Sequence, residues 1–250
     1  PTSHANPPAG NPHTTSATTT PNPDAVMYAH HNGTAWTIEI IDATPYYAYD
    51  TSIDLDSSGN AHISYAVYNN TGNSYNLRYS YHNGSEWVYD DIKDYRSTYW
   101  NSYGNTGKNN QIKLNSTDVP HVVFFEDYYD DVYLSVRVNG SWSSSSVDDY
   151  GGIYTTYGER AISLAIDSTD GLHVAYYDLG GRFLEYAHRG PGESSWTKTN
   201  VHDQGNHYIG TSVSIAVDSA DRPYIAYHDR SHCCLLYTSP SPRDGLLSRM

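Results

Sequence analysis

Residues 163–178 read SLAIDSTDGLHVAYYD, and nearly the same sixteen residues return as SIAVDSADRPYIAYHD at 214–229 and SIDLDSSGNAHISYAV at 52–67. A more divergent copy, QIKLNSTDVPHVVFFE, occupies 111–126. Repetition at a nearly constant spacing decides an architecture before any single motif does. The copies open at Ser52, Gln111, Ser163 and Ser214, and matching tryptophans stand at Trp36, Trp87, Trp142 and Trp196, spaced by 51, 55 and 54 residues.

Each unit reads as four short strands. SLAID, or its counterpart, is the first; a polar turn such as SSGN or STDG follows, and LHVAYYD is the second. The third is typified by LRYSYHNG and the fourth runs on from tryptophan, as in EWVYDDI. Apolar residues alternate with period two and β-branched and aromatic types dominate, so no helical periodicity competes. Asn32-Gly33, Asn83-Gly84 and Asn139-Gly140 stand between strands three and four, where a tight type I′ hairpin needs positive φ. Four antiparallel strands repeated radially describe a propeller blade. A β-sandwich is the competing architecture, but sandwiches rarely repeat one phrase per four strands. The expected fold is therefore all-β: a β-propeller fragment with blades of about 51–55 residues in an incomplete ring, with bare blade faces at its flanks.

The pattern resembles the tandem propeller repeats of secreted or surface proteins of bacteria and archaea, of the kind S-L-A-x-D-S-x-G-x-P-H-I-A-Y-Y-D followed by L-x-Y-A and G-x-W. The resemblance spans about residues 25–229 and implies an extracellular or cell-surface location. It carries no function, because propellers host lectins, lyases, hydrolases and scaffolds. The expected division is a partial blade at 25–43, blades at 52–95, 111–150 and 163–203, and a half blade at 214–229. Residues 1–24 are either a Pro/Thr-rich linker or a half blade damaged by a frame shift, since AGNPH precedes MYAHHNG much as SGNAH precedes RYSYHNG. Residues 233–250 lose the propeller period and hold both cysteines. Cys234–Asp244 resembles one translated frame of a transposase sequencing adapter, which implies that the native chain stops near His232 and that 233–250 carry no native structure.

Charge and composition narrow the task. The 26 Tyr and 5 Trp against 3 Phe suit half-buried pleated surfaces and wet interfaces. A net charge of −14, from 14 basic and 28 acidic residues, disfavours nucleic acid and anionic membranes. No apolar run has the length of a membrane-spanning helix.

Several constellations have plain readings. DLDSSG at 54–59 echoes half of a calcium loop, but the twelfth position is Tyr65, not a carboxylate. Asp56, Asp167 and Asp218 read instead as turn caps. The sequons at Asn32, Asn69, Asn83, Asn115 and Asn139 partly coincide with the hairpin asparagines. His62, His121 and His173 open strand two; ligands repeated once per blade lie far apart, so they are read as packing against or bonding a neighbouring blade, with no metal and no cofactor. Glu126, Asp178 and Asp229 end strand two and read as solvated acids. The sialidase repeat box Ser-x-Asp-x-Gly-x-Thr-Trp is absent, and Arg78, Arg137, Arg160 and Arg182 do not occupy equivalent positions that would converge on a substrate carboxylate.

The loops joining strand four to the next strand one hold the strongest binding signal. In TPYYAYDT, GGIYTTYGER and GNHYIGTS, Tyr46, Tyr157 and Tyr208 each lie six residues before the serine that opens strand one. Such loops gather at one mouth of a propeller, where aromatic rings stack on sugars or grip a peptide; packing between blades is the competing reading. The expected function is a non-catalytic module binding glycan or protein, with a fragment of a propeller glycoside hydrolase or polysaccharide lyase, its catalytic blades missing, as the alternative.

Overall fold

The computed structural model describes residues 25–43, 47–69, 74–93, 107, 109–126, 131–149, 161–178, 183–202, 209–229 and 234–238. Among them there is no helix, and so none long and apolar enough to cross a membrane. β1 (Val26–His31) and β2 (Trp36–Asp42) form a two-stranded ribbon. β3 (Ala48–Leu55), β4 (Ala61–Asn69), β5 (Ser74–His82) and β6 (Trp87–Lys93) form a four-stranded antiparallel sheet in chain order. The same order recurs in β7 (Gln111–Leu114), β8 (Pro120–Glu126), β9 (Asp131–Val138) and β10 (Ser141–Asp148). It recurs again in β11 (Ile162–Ile166), β12 (Leu172–Asp178), β13 (Phe183–Arg189) and β14 (Thr197–His202). β15 (Ile209–Val217), β16 (Pro223–Asp229) and β17 (Cys234–Thr238) complete the series. Each sequence repeat is one blade of a β-propeller.

Cys234–Thr238 takes the place of a strand three: its backbone pairs with β16 from Cys234 opposite Asp229 to Thr238 opposite Ile225. The open edge of β16 offers unpaired backbone groups to any extended segment, whatever its side chains.

Strand two is the most buried element, as a central strand covered on both faces must be: all seven residues of β8 are buried, and six of seven in β12. The apolar faces are hidden between sheets. One core joins Val123, Phe125, Val132, Leu134 and Val147 to Leu164, Leu172, Val174, Tyr176 and Ala187 of the next blade. Equivalent cores join the other consecutive sheets. Trp87 packs edge-on against Tyr28 of the preceding ribbon, and Trp142 against Tyr79 of the preceding blade. Trp196 packs on the core shared with the blade before it. The three tryptophans therefore occupy one repeated environment. At the flank, Trp36 and Ile38 of β2 are 68% and 66% exposed.

The turn between strands one and two is built alike in every blade. Asp56 Oδ1 accepts the N–H groups of Ser58 and Asn60, and Asn115, Asp167 and Asp218 repeat this on the residues two and four positions on. The caps expected at Asp56, Asp167 and Asp218 are thus in place. The third residue after each cap, Gly59, Asp118, Asp170 or Asp221, has positive φ. The residue also reaches backwards. Ser57 donates its N–H and hydroxyl to the Asp118 carboxylate of the next blade, at 2.8 and 2.5 Å. Ser116 does the same to Asp170, and Ser168 to Asp221. A second link lies along strand one: Ser52 Oγ accepts the N–H of Ile112, Gln111 Oε1 that of Leu164, and Ser163 Oγ that of Ile215.

A third link explains the tyrosine of strand two. Tyr65 Oη donates to Asp42 at 2.9 Å, and Tyr176 Oη to Asp148 at 2.7 Å, each acceptor ending strand four of the preceding sheet. Tyr227 Oη meets His202 in the same way at 3.0 Å. Phe124 takes this position where the preceding strand four ends in Lys93. Burial, then the adjacent carboxylate, holds the Tyr65 and Tyr176 hydroxyls protonated far above the ordinary tyrosine range. Apolar burial still dominates cohesion: one buried side chain contributes about 1.5–3 kcal/mol, against about 1.5–3 for a hydrogen bond to a charged group, and each interface has many more of the former. The polar links set spacing and order.

The Asn-Gly hairpins are not uniform. Only Asn139-Gly140 has positive φ at both residues and closes a two-residue turn between β9 and β10. At Asn32 and Asn83 only the glycine is positive, and the asparagine Oδ1 instead accepts two N–H groups of a four-residue loop. The reason is one residue: NGSW at 139–142 is shorter than NGTAW at 32–36 and NGSEW at 83–87.

Two measurements check these links. Asp170→Gly keeps the turn conformation, which Gly59 already adopts, and removes only the clamp; urea denaturation is expected to show a loss of about 1–2 kcal/mol, and Asp170→Ala a further loss of about 1 kcal/mol from its positive φ. Tyr176→Phe removes one buried hydroxyl from Asp148 and is expected to cost about 1.5–3 kcal/mol by the same assay.

Candidate functional site

Antiparallel order sorts the loops onto two faces. Strand one starts, strand two ends and strand four ends on one face, the mouth. The capped turns and the Asn-Gly hairpins lie on the other.

At the mouth, the openings of strand one from four consecutive blades meet around a cleft of about 300 Å³. Asp50 and Thr51 of β3, Asn109 and Asn110 before β7, Ala161 and Ile162 at β11, and Ser212 and Val213 of β15 line it. Five of these eight side chains carry hydrogen-bonding groups, and Asp50 is the one ionisable group among them. Asp50 and Asn109 have φ of 50° and 51°, a conformation Asp and Asn tolerate better than most residues. Both β3 and β15 shift register at this level, between Tyr49 and Ser52 and between Ile209 and Val213. Such bulges re-aim side chains beside binding sites.

Asn110 holds the cleft floor together. Its Nδ2 donates to the carbonyls of Asp50 at 2.5 Å and Gly107 at 2.9 Å, and its Oδ1 accepts from Ser64 Oγ at 2.5 Å. Asn109 N–H donates to Asp50 Oδ2 at 3.2 Å. The floor thus bridges two blades without using the second Asp50 carboxylate oxygen.

Tyr46, Tyr157 and Tyr208 lie outside the described residues. Beside them in sequence, Tyr47, Tyr49 and Tyr68 form an aromatic group with ring centroids 6.1 and 6.3 Å apart, and Tyr47 and Tyr49 are each 41% exposed. Choosing the tyrosine six residues before each strand-one serine passed over them, although TPYYAYDT contains two. The acids that end strand two are not solvated as expected: Glu126 and Asp229 are 1% exposed and Asp178 is half-buried.

The two described arginines of the four are each paired with acids. Arg78 binds Asp42 and Asp91, at 3.0 and 2.7 Å, and Arg137 binds Asp90 at 2.7 Å; Arg160 and Arg182 lie outside the described residues. The histidines that open strand two bond within their own blade, contrary to expectation. His62 Nδ1 lies 2.6 Å from Tyr79 Oη, and His173 Nδ1 2.7 Å from Tyr186 Oη. His173 Nε2 meets Asp167 Oδ2 at 3.1 Å, and His121 Nδ1 meets the Val119 carbonyl at 2.8 Å. The tyrosines lie on strand three, one strand away, and Val119 and Asp167 in the turn before strand two. Burial pulls all three imidazoles below the ordinary histidine range. Burial alone would raise Asp167, but hydrogen bonds from His173, Gly171 and Thr169 outweigh it and hold its carboxyl down at about 2.

Comparison with known structures agrees on the fold. A protein of unknown function from Dyadobacter fermentans superposes with a TM-score of 0.53 at 10% identity, over 81% of this chain and 64% of that one. A leech intramolecular trans-sialidase, in complex with 2,7-anhydro-Neu5Ac, superposes with a TM-score of 0.51 at 12% identity, over 88% of this chain and 36% of the enzyme. These likenesses concern the fold alone. The chain spans less than two thirds of either protein. No protein-family model matches the sequence, and no curated protein does.

Asn110→Ala leaves the buried Ser64 hydroxyl and the carbonyls of Gly107 and Asp50 without their amide partner. It is expected to destabilise the protein by about 2–4 kcal/mol in urea denaturation.

Proposed function

We propose that this chain is a non-catalytic, surface or secreted propeller module that binds neutral glycans at its mouth. The observation that carries the reading is the convergence of Asp50, Thr51, Asn109, Asn110 and Ser212 on one cleft, with the exposed Tyr47 and Tyr49 just before Asp50 in the chain. Sugar hydroxyls donate and accept at once, so a carboxylate, amides and hydroxyls set in one rigid rim suit them, while tyrosine faces take the C–H side of a pyranose ring. A carboxylate in the rim disfavours acidic sugars, whose recognition calls for arginine. Arg78 and Arg137 are committed to Asp42, Asp91 and Asp90, which supports binding over sialidase-like chemistry. The shared fold of a sugar-binding enzyme, the leech trans-sialidase, is consistent with a glycan partner.

The test is a glycan array followed by calorimetry with the strongest neutral oligosaccharide. Asp50→Asn preserves the turn conformation and removes the charge; it is expected to weaken binding at least tenfold, as is the triple change of Tyr46, Tyr157 and Tyr208 to Ala. Equal binding by both variants, or binding confined to acidic glycans, overturns the proposal. Release of a shortened sugar by the unaltered chain would favour the hydrolase alternative.

A further inference from the structure

On the face opposite the mouth, the residue paired across from the histidine that opens strand two differs from blade to blade. His62 faces Tyr81, and His121 faces Val136. Opposite His173 stands a second histidine, His188. The two imidazole centroids are 4.7 Å apart. Asp167, His173 and His188 each offer one ligand atom, and the three atoms lie within 4.8 Å of one another.

We propose that Asp167, His173 and His188 form a binding site for a divalent transition-metal ion of the zinc class. Two imidazoles and a carboxylate are a donor set that zinc takes readily, with bonds of about 2.0–2.2 Å and a fourth position left open. The 3.1 Å between His173 Nε2 and Asp167 Oδ2 is close to the edge of about 3.3 Å in a tetrahedron with such bonds. The ion takes the place of a proton between these two atoms, and the neutral His173 ring then carries its one proton on Nδ1, which donates to Tyr186 Oη.

The supporting groups are already set. Asp167 Oδ1 is occupied by the N–H groups of Thr169 and Gly171 and the Thr169 hydroxyl, at 2.7–2.9 Å, which turns Oδ2 toward the site. The Tyr186 hydroxyl at His173 Nδ1 fixes that ring and directs Nε2 at the ion, the arrangement by which outer partners orient metal-binding imidazoles. Asp221, clamped by Ser168, adds a second negative charge that acts on His173. The His173 and Asp167 side chains are 3% and 7% exposed, while His188 is half-buried and opens the way in. Turn capping accounts for Asp167 and His173, since Asp56 and His62 repeat them. It does not account for His188.

Zinc titration of the full chain, first stripped with a chelator, tests the site by calorimetry and by the visible absorption of a cobalt(II) substitute. His188→Tyr restores the residue found at Tyr81 and leaves the turn intact. The unaltered chain is expected to take up one zinc ion that this variant binds at least tenfold more weakly, with circular dichroism unchanged. Zinc is also expected to protect His188 of the unaltered chain from diethyl pyrocarbonate, read by peptide mass spectrometry, which decides the matter even if the variant misfolds. No uptake, equal uptake by the variant, or His188 modified equally with and without zinc overturns the proposal.

Discussion

Each blade presents apolar surface on both sides, and only another blade can hide it. That constraint makes the interface between sheets, not the sheet itself, the unit of stability. Three polar links recur at these interfaces: serine to a turn carboxylate, the opening residue of strand one to a backbone N–H, and a tyrosine hydroxyl to the end of strand four. Apolar packing is forgiving about small slides, whereas a two-donor bond to one carboxylate is not. The links at Asp118, Asp170 and Asp221 hold successive sheets at one height, so the strand-one openings come level and a rim forms.

The two faces consequently differ in character. The mouth is assembled from irregular pieces, bulged strands and residues of positive φ, and it varies from blade to blade. The opposite face carries the capped turns and their clamps, which recur along the described blades, while the residue across from each strand-two histidine varies, from Tyr81 to Val136 to His188.

Much of the architecture was legible in the sequence because the repeat is written in residues with strong local preferences. The capping acids, the Asn-Gly dipeptides, the alternating strands and the tryptophan spacing each pointed to the same blade. The links between blades were not legible. Ser57 and Asp118 are 61 residues apart, and each already made sense as a turn residue, so nothing in either demanded a distant partner. Phe124 in place of tyrosine, with Lys93 in place of an acceptor, was the one visible hint. The cleft residues Asp50, Asn109 and Asn110 fall in the stretches that join repeats, where no period guides the eye. His188 was open to detection: aligning LRYSYH at 77–82 with LEYAHR at 184–189 sets it against Tyr81.

Gly59 gives the array a direction. It holds the place of Asp118, Asp170 and Asp221 and shares their positive φ, but a hydrogen cannot accept what a carboxylate accepts. Any sheet arriving from upstream of the 52–93 blade, whether from this molecule or from another, meets no acid to grasp at that height. The ribbon that does sit there is held by apolar packing and by the Tyr65–Asp42 bond, so this junction coheres without the turn clamp on which the later ones rely.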